Sequence, residues 1–203
     1  MSDEYKGPYI VRGFKARQYN DFQLNYIDLN LCARLLKDEE LLLRGQSSDL
    51  YIAVWTGIIV KFVSCFGVSA SRQALKPNKI FKDHNHALTF YYRVCAIRNK
   101  NVVHDENTST QSTVVVSADE TLLSGQFNCY TVVKAFDSTL YLGLSEIIQI
   151  AIKSIEQSLA ALSSLISEEI KKLSPEEVKS FPRWSYDAKA AMFEPEKKRI
   201  RLD

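Results

Sequence analysis

Glycine and proline are scarce in this chain, seven and five in 203 residues. That scarcity argues against a turn-rich barrel or sandwich and favours long regular elements. Cysteine is limited to Cys32, Cys65, Cys95 and Cys129 with no C-x-x-C pair, so the clustered thiolates of a structural zinc site are missing from the pattern. Three of the four fall in apolar helical patterns, where a reduced thiol acts as a small hydrophobe. A net charge of +2 carries no whole-molecule nucleic-acid footprint, so any anion site must be local. The most apolar run, Leu50 to Phe66, is interrupted by Lys61 and falls short of the roughly 20 residues of a membrane span. The acidic, polar opening MSDEYKGPY does not read as a secretory signal, and the expectation is a cytoplasmic protein away from membranes. The phosphate-loop, dinucleotide-loop and nucleophile-elbow patterns G-x-x-x-x-G-K-[ST], G-x-G-x-x-G and G-x-S-x-G do not occur.

Helical periodicity dominates what is present. Gln18 to Leu43 reads as a first helix, with Phe22, Tyr26 and Leu29 on one stripe, Ile27, Leu31 and Leu35 beside it, and Gly45 as its stop. Ser47, Ser48 and Asp49 offer cap chemistry for a second helix. That helix carries Leu50, Tyr51, Val54, Trp55, Ile58, Ile59, Phe62, Val63 and Phe66 on one wide apolar face. Pro77 and Asn78 read as a break, and a third helix is expected from about Asp83 into the RNK sequence, with Phe90, Tyr91, Val94, Cys95 and Ile97 as its apolar face.

The β-rich runs STVVVSA and NCYTVVKAF flank DETLLSGQFN and predict a hairpin turning near Ser124 and Gly125. Asp137 and Ser138 can cap a long last helix from Thr139 to Leu173, striped by Leu140, Leu144, Ile148, Ala151, Ile155, Leu159, Leu162, Ile166, Ile170 and Leu173. Such a stripe needs other helices, a second copy, or both. Pro175-Glu176-Glu177 can begin one more turn before a charged tail whose Lys197-Lys198-Arg199 run reads as a solvated end.

The polar segment IRNKNVVHDEN concentrates the chemistry. Arg98 supplies a permanent planar charge that can grip phosphate, and His104 titrates near neutral pH and can move a proton. Together they can cleave RNA without a metal: the imidazole acts on the ribose 2′-hydroxyl or the leaving 5′-oxygen, and the guanidinium stabilises charge on the phosphoryl oxygens. Asn99 can orient the phosphate or the arginine, and Lys100 can contact phosphate. Six residues of unbroken helix leave Arg98 and His104 about 120° apart, so they converge only if the helix breaks near Asn99, Asn101, Val102 and Val103, or if two copies share a site. The competing reading gives Arg98 a helix-capping role or an ion pair with Asp105 or Glu106. His84 and His86, two apart at a helix start, point about 200° apart and make a poor metal pair.

The segment RNKNVVHDEN at the end of an apolar helix resembles the HEPN superfamily, whose signature is an arginine, usually followed by a polar residue, and a histidine after four to six intervening residues. Arg98, Asn99 and His104 match that signature, and Lys100 lies within it. The resemblance implies a mainly α fold, a HEPN-like helical bundle that here would span residues 18–174 and end in the long C-terminal helix. The β-hairpin expected at about 111–136 departs from a plain helical bundle and reads as an insertion beside the cleft. Residues 1–17 are then an N-terminal lead and 175–203 a partly mobile extension. It also implies a homodimer with paired motifs lining a cleft, and a metal-independent endoribonuclease without cofactor, of the toxin–antitoxin or anti-phage kind, with RNA as substrate and an antitoxin as a possible protein partner. The alternative within the same family is a non-catalytic helical binding protein.

Overall fold

The computed structural model describes residues 9–38, 49–69, 72–99, 110–117, 126–133 and 138–182. Among these, the chain is mainly helical. Its elements are α1 (Phe14–Lys37), α2 (Asp49–Ser64), α3 (Pro77–Ile80), α4 (Asn85–Ile97), β1 (Thr110–Ser117), β2 (Gln126–Val133), α5 (Ser138–Ile170) and α6 (Pro175–Lys179). None of the described helices is long and apolar enough to cross a membrane. Chain contacts divide into two units, which are described separately. One comprises the described residues of Met1–Ile27, Val68–Ala74 and Lys153–Asp203; the other comprises those of Asp28–Gly67 and Leu75–Ile152.

In the first unit, Gly13 adopts φ +127 immediately before α1, a conformation that costs glycine little, and its carbonyl accepts from the Arg17 N–H at 3.0 Å. Asp21 and Asn25 lie on the buried side of α1. Asn25 Nδ2 donates to the carbonyls of Asp21 at 3.0 Å and Gln73 at 3.2 Å, tying the segment before α3 to the helix. Both donors point at carbonyls, so flipping the amide would set oxygen against oxygen. Tyr26 donates to Glu156 at 3.0 Å, Lys15 pairs with Glu169, and Ile155 and Leu162 of α5 are buried. Ser174 caps α6 reciprocally with Glu177, each side chain bonding the other's backbone N–H. Those bonds hold the Glu177 carboxyl below its ordinary range.

The second unit holds most of the buried apolar side chains. Leu29, Cys32, Ala33 and Leu36 of α1 are buried together with Trp55, Ile58, Ile59 and Phe62 of α2, Ala87, Tyr91 and Val94 of α4, and Leu144, Ile147, Ile148 and Ala151 of α5. Burying a large apolar side chain stabilises the fold by about 1.5–3 kcal/mol, so these faces dominate the local energetics. Cys32 donates to the Ile58 carbonyl at 3.7 Å, and Lys61 pairs with Asp28 at 3.2 Å. Burial, then the charges of Cys65 and Asp28, push the Cys32 thiol up to about 12, against a smaller pull from Lys61.

Several expectations are corrected. The first helix runs Phe14–Lys37 rather than starting at Gln18, and it stops before Asp38; the expected stretch 39–43 lies outside the described residues. Its last turn carries Arg34 and Lys37, which suit the negative end of a helix dipole, whereas the following Asp38 does not. Ile27 and Leu31 are 52% and 36% exposed, because the buried stripe passes instead through Asp21, Asn25, Leu29, Cys32 and Leu36. Pro77 does not break the segment but opens α3 at a position where its missing N–H costs nothing. The last helix starts at Ser138 and ends at Ile170, followed by a turn at Lys171 and Lys172.

At about 1.5 Å per residue, the 33 residues of α5 extend on the order of 50 Å. The β-rich runs fall on β1 and β2, which pair antiparallel with Thr113 opposite Tyr130 and Val115 opposite Asn128. Their Thr, Val and Tyr content suits a pleated strand. The Ser124–Gly125 turn, the Gly45 stop, the Ser47, Ser48 and Asp137 caps and the charged tail lie outside the described residues.

Candidate functional site

The position of Arg98 is set by how α4 is anchored. Ala87, Tyr91 and Val94 recur at i, i+4 and i+7 and form the buried face of this helix. Tyr91 is the hub of a ring cluster in the second unit. Its ring lies 4.7 Å from that of Phe66, 5.8 Å from Phe81 and 6.2 Å from Phe62, at tilted or T-shaped angles that aromatic rings favour. Burial raises the Tyr91 hydroxyl well above its ordinary range, reinforced by a hydrogen bond to Cys95.

Two contacts with α5 fix the same helix from its flank. The Phe90 ring lies directly over Gly143, which has no Cβ to obstruct it. His86 Nε2 sits 2.8 Å from Glu146 Oε1, one turn earlier on α4. The Arg93 guanidinium lies 5.9 Å from the centroid of Phe90, on the outer side of the helix.

Arg98 follows the last residue of α4 with φ −56 and ψ −47, and its N–H bonds back to the carbonyls of Val94 and Cys95. The turn widens at Arg98 and Asn99 into π-type geometry. Arg98 is half-buried, and its Nη1 donates to Asn99 Oδ1 at 3.0 Å. Its Nε is buried and meets no acceptor among the described residues. Burial holds the Cys95 thiol above its ordinary value, against smaller pulls from the Tyr91 hydrogen bond and then the Arg98 charge.

Of the sequence-predicted site residues, Arg98 and Asn99 are thus brought into direct contact. Lys100 and His104 lie outside the described residues, as do Asn101, the Val102–Val103 pair, Asp105 and Glu106. Arg98 directs its described hydrogen bond to Asn99 and not to a helix carbonyl, so it does not cap α4 through that bond. His84 precedes α4 as its N-cap, so helical spacing does not set it against His86; their rings meet edge-on with centroids 6.1 Å apart, and His86 is engaged by Glu146. No group of three or more His, Cys, Asp or Glu side chains is placed to hold a metal among the described residues.

Sequence reasoning missed the Phe90–Gly143 approach. A lone glycine inside the apolar pattern of α5 was its only signal, marking a place where another side chain comes close. Chemically, the Arg98–Asn99 pair presents a guanidinium steered by an amide oxygen at the end of a rigidly packed helix. Such a group can bind a phosphoryl oxygen and stabilise charge that develops on it. The fold and this pair define a mainly helical protein with a candidate anion-handling helix end. Comparisons with protein-family models, with curated proteins and with solved structures find no match to this chain.

Proposed function

We propose that the chain is a metal-independent endoribonuclease of the HEPN type, acting as a homodimer on RNA as a toxin or anti-phage component. The observation that carries this reading is the Arg98–Asn99 pair: a guanidinium hydrogen-bonded to an amide, with a buried Nε lacking an acceptor among the described residues. A half-buried guanidinium oriented by an amide at a helix end favours an anionic oxygen as a further partner for its remaining donors.

In the proposed reaction the ribose 2′-oxygen attacks the adjacent phosphorus. A 2′-O–P bond forms and the P–5′-O bond breaks, leaving a 2′,3′-cyclic phosphate and a 5′-hydroxyl. His104 accepts the 2′-hydroxyl proton or delivers one to the 5′-oxygen. Arg98 stabilises the charge on the non-bridging oxygens, Asn99 orients the guanidinium, and Lys100 contacts a neighbouring phosphate. Purified protein is expected to cut RNA in EDTA and leave 2′,3′-cyclic phosphate ends, with His104→Ala abolishing the cut. Cleavage that survives this substitution overturns the assignment.

A second reading, a non-catalytic interaction protein, draws on the placement of Arg98 at the C-terminal end of α4, where its charge complements the helix dipole by about 0.3–1 kcal/mol. Thermal melts separate the two. If Arg98→Ala and His104→Ala unfold the protein, both residues are structural; if they melt like the parent and lose cleavage, they belong to the chemistry.

A further inference from the structure

We infer that Tyr92 is the nucleobase platform of this site, stacking a base of single-stranded RNA beside the phosphate gripped by Arg98; the inference rests on the ribonuclease reading and names its substrate class. Tyr92 is 54% exposed on a helix whose neighbouring tyrosine is buried. Tyr91 holds it from one side, with ring centroids 5.3 Å apart in a T-shaped arrangement, so the ring is steadied while much of it stays open to solvent. An exposed, positioned aromatic ring is what sequence-tolerant recognition of unpaired bases uses.

The position of Tyr92 relative to Asn99 is what connects it to the chemistry. The seven steps from Tyr92 to Asn99 turn about 670–700°, allowing for the wider turn at Arg98 and Asn99, which returns Asn99 to within about 20–50° of Tyr92 and about 10 Å further along the axis. Ala96 lies between them on the same face and is exposed, and its methyl group leaves the interval shallow. The stripe therefore runs from an aromatic ring, over a small side chain, to an amide.

Arg98 itself projects about 120° from Tyr92 around the helix. Its hydrogen bond to Asn99 Oδ1 draws the guanidinium round toward the Tyr92 face. A phosphate bound by Arg98 is then placed so that an adjoining nucleotide can lay its base on Tyr92. Base-paired RNA cannot use this surface, because its bases are stacked on one another and unavailable to a side chain. The preference is for unpaired substrate.

The test uses the full chain in EDTA, with a single-stranded RNA oligonucleotide whose cut site has been mapped. It compares the parent, Tyr92→Ala and Tyr92→Trp. Loss of one base-stacking contact predicts a KM raised about 5- to 150-fold in Tyr92→Ala, with kcat unchanged and near-parental KM in Tyr92→Trp. An oligonucleotide abasic at the nucleotide flanking the cut should erase the difference between parent and Tyr92→Ala. A structural role would not respond to the missing base.

If the parent cuts and Tyr92→Ala retains its KM, the platform is overturned and the ribonuclease reading stands. If the parent binds single-stranded RNA but never cleaves it, weaker binding by Tyr92→Ala supports the platform and overturns catalysis alone. If the parent neither binds nor cuts, both fail.

Discussion

Replacing Tyr91 by alanine removes the ring on which three others converge, and the consequence can be worked from the packing. Tyr91 is 6% exposed and touches Phe62, Phe66 and Phe81. Truncating a buried aromatic ring costs about 3–5 kcal/mol, because the apolar transfer energy and the cavity left behind add together. For a chain of this size, about 2–4 °C of Tm is lost per kcal/mol, so Tyr91→Ala should melt about 6–20 °C below the parent. Tyr91→Phe keeps the ring and removes only the hydroxyl bonded to Cys95, a weak acceptor. Its cost should sit at or below about 1 kcal/mol, a fall of about 1–4 °C. Thermal melts followed by far-UV circular dichroism measure both. At a temperature where both variants are folded, Tyr91→Ala should also cleave RNA more slowly than Tyr91→Phe, since α4 carries Arg98 at its end. The reasoning fails if Tyr91→Ala melts within about 2 °C of the parent, or if Tyr91→Phe is equally damaging.

The Phe90–Gly143 contact predicts non-additivity. Gly143→Ala gains about 1 kcal/mol of helix propensity but drives a Cβ into the Phe90 ring at an overpacking cost of about 1–3 kcal/mol. It should therefore be neutral to destabilising alone and stabilising in a Phe90→Ala background; equal effects in urea melts of both backgrounds would refute the contact. Cys32, pushed up to about 12 by burial, should resist alkylation in the native protein near neutral pH and react fully in urea. Its folded pKa lies above the unfolded value near 9.0, so its contribution to stability is complete below about pH 9 and declines as pH rises toward about 12. The parent should lose more stability than Cys32→Ala across that window, and parallel curves would show that the thiol is not buried as described.

The parts of the fold that were legible in the sequence are those whose apolar face is wide and uninterrupted. In α2, Trp55, Ile58, Ile59 and Phe62 are buried as their spacing implies, and in α5 so are Leu140, Leu144, Ile148, Ala151, Ile155 and Leu162. In α1, Leu29 is buried and Phe22, Tyr26 and Leu35 are half-buried as their spacing implies. Ile27 and Leu31 are exposed, because Asp21 and Asn25 occupy the buried stripe and counting apolar residues shifts it toward Ile27 and Leu31. What makes Asn25 tolerable there is its pair of bonds to the Asp21 and Gln73 carbonyls, the second of them 48 residues away in sequence. Pro77 was ambiguous for a related reason: proline stops a helix from within and starts one at its first turn, and local sequence does not say which turn it occupies.

At the site, the adjacency of Arg98 and Asn99 is plain in the sequence, whereas the bond joining their side chains is seen only in the structure. The anchoring of that helix was half legible. Tyr91 and Val94 sit at core spacing, but the approach of Phe90 to Gly143 joins segments far apart in the chain.

The central claim is that Arg98 and His104 act on phosphate rather than hold the fold. Its most direct measurement is RNA cleavage in EDTA by the parent, Arg98→Ala and His104→Ala, with the product ends identified and each variant's melt recorded beside its rate. The account predicts 2′,3′-cyclic phosphate ends from the parent, and two variants that melt within a few degrees of it while their cleavage is lost. Undiminished cleavage in either variant, or no cleavage by the parent, contradicts it.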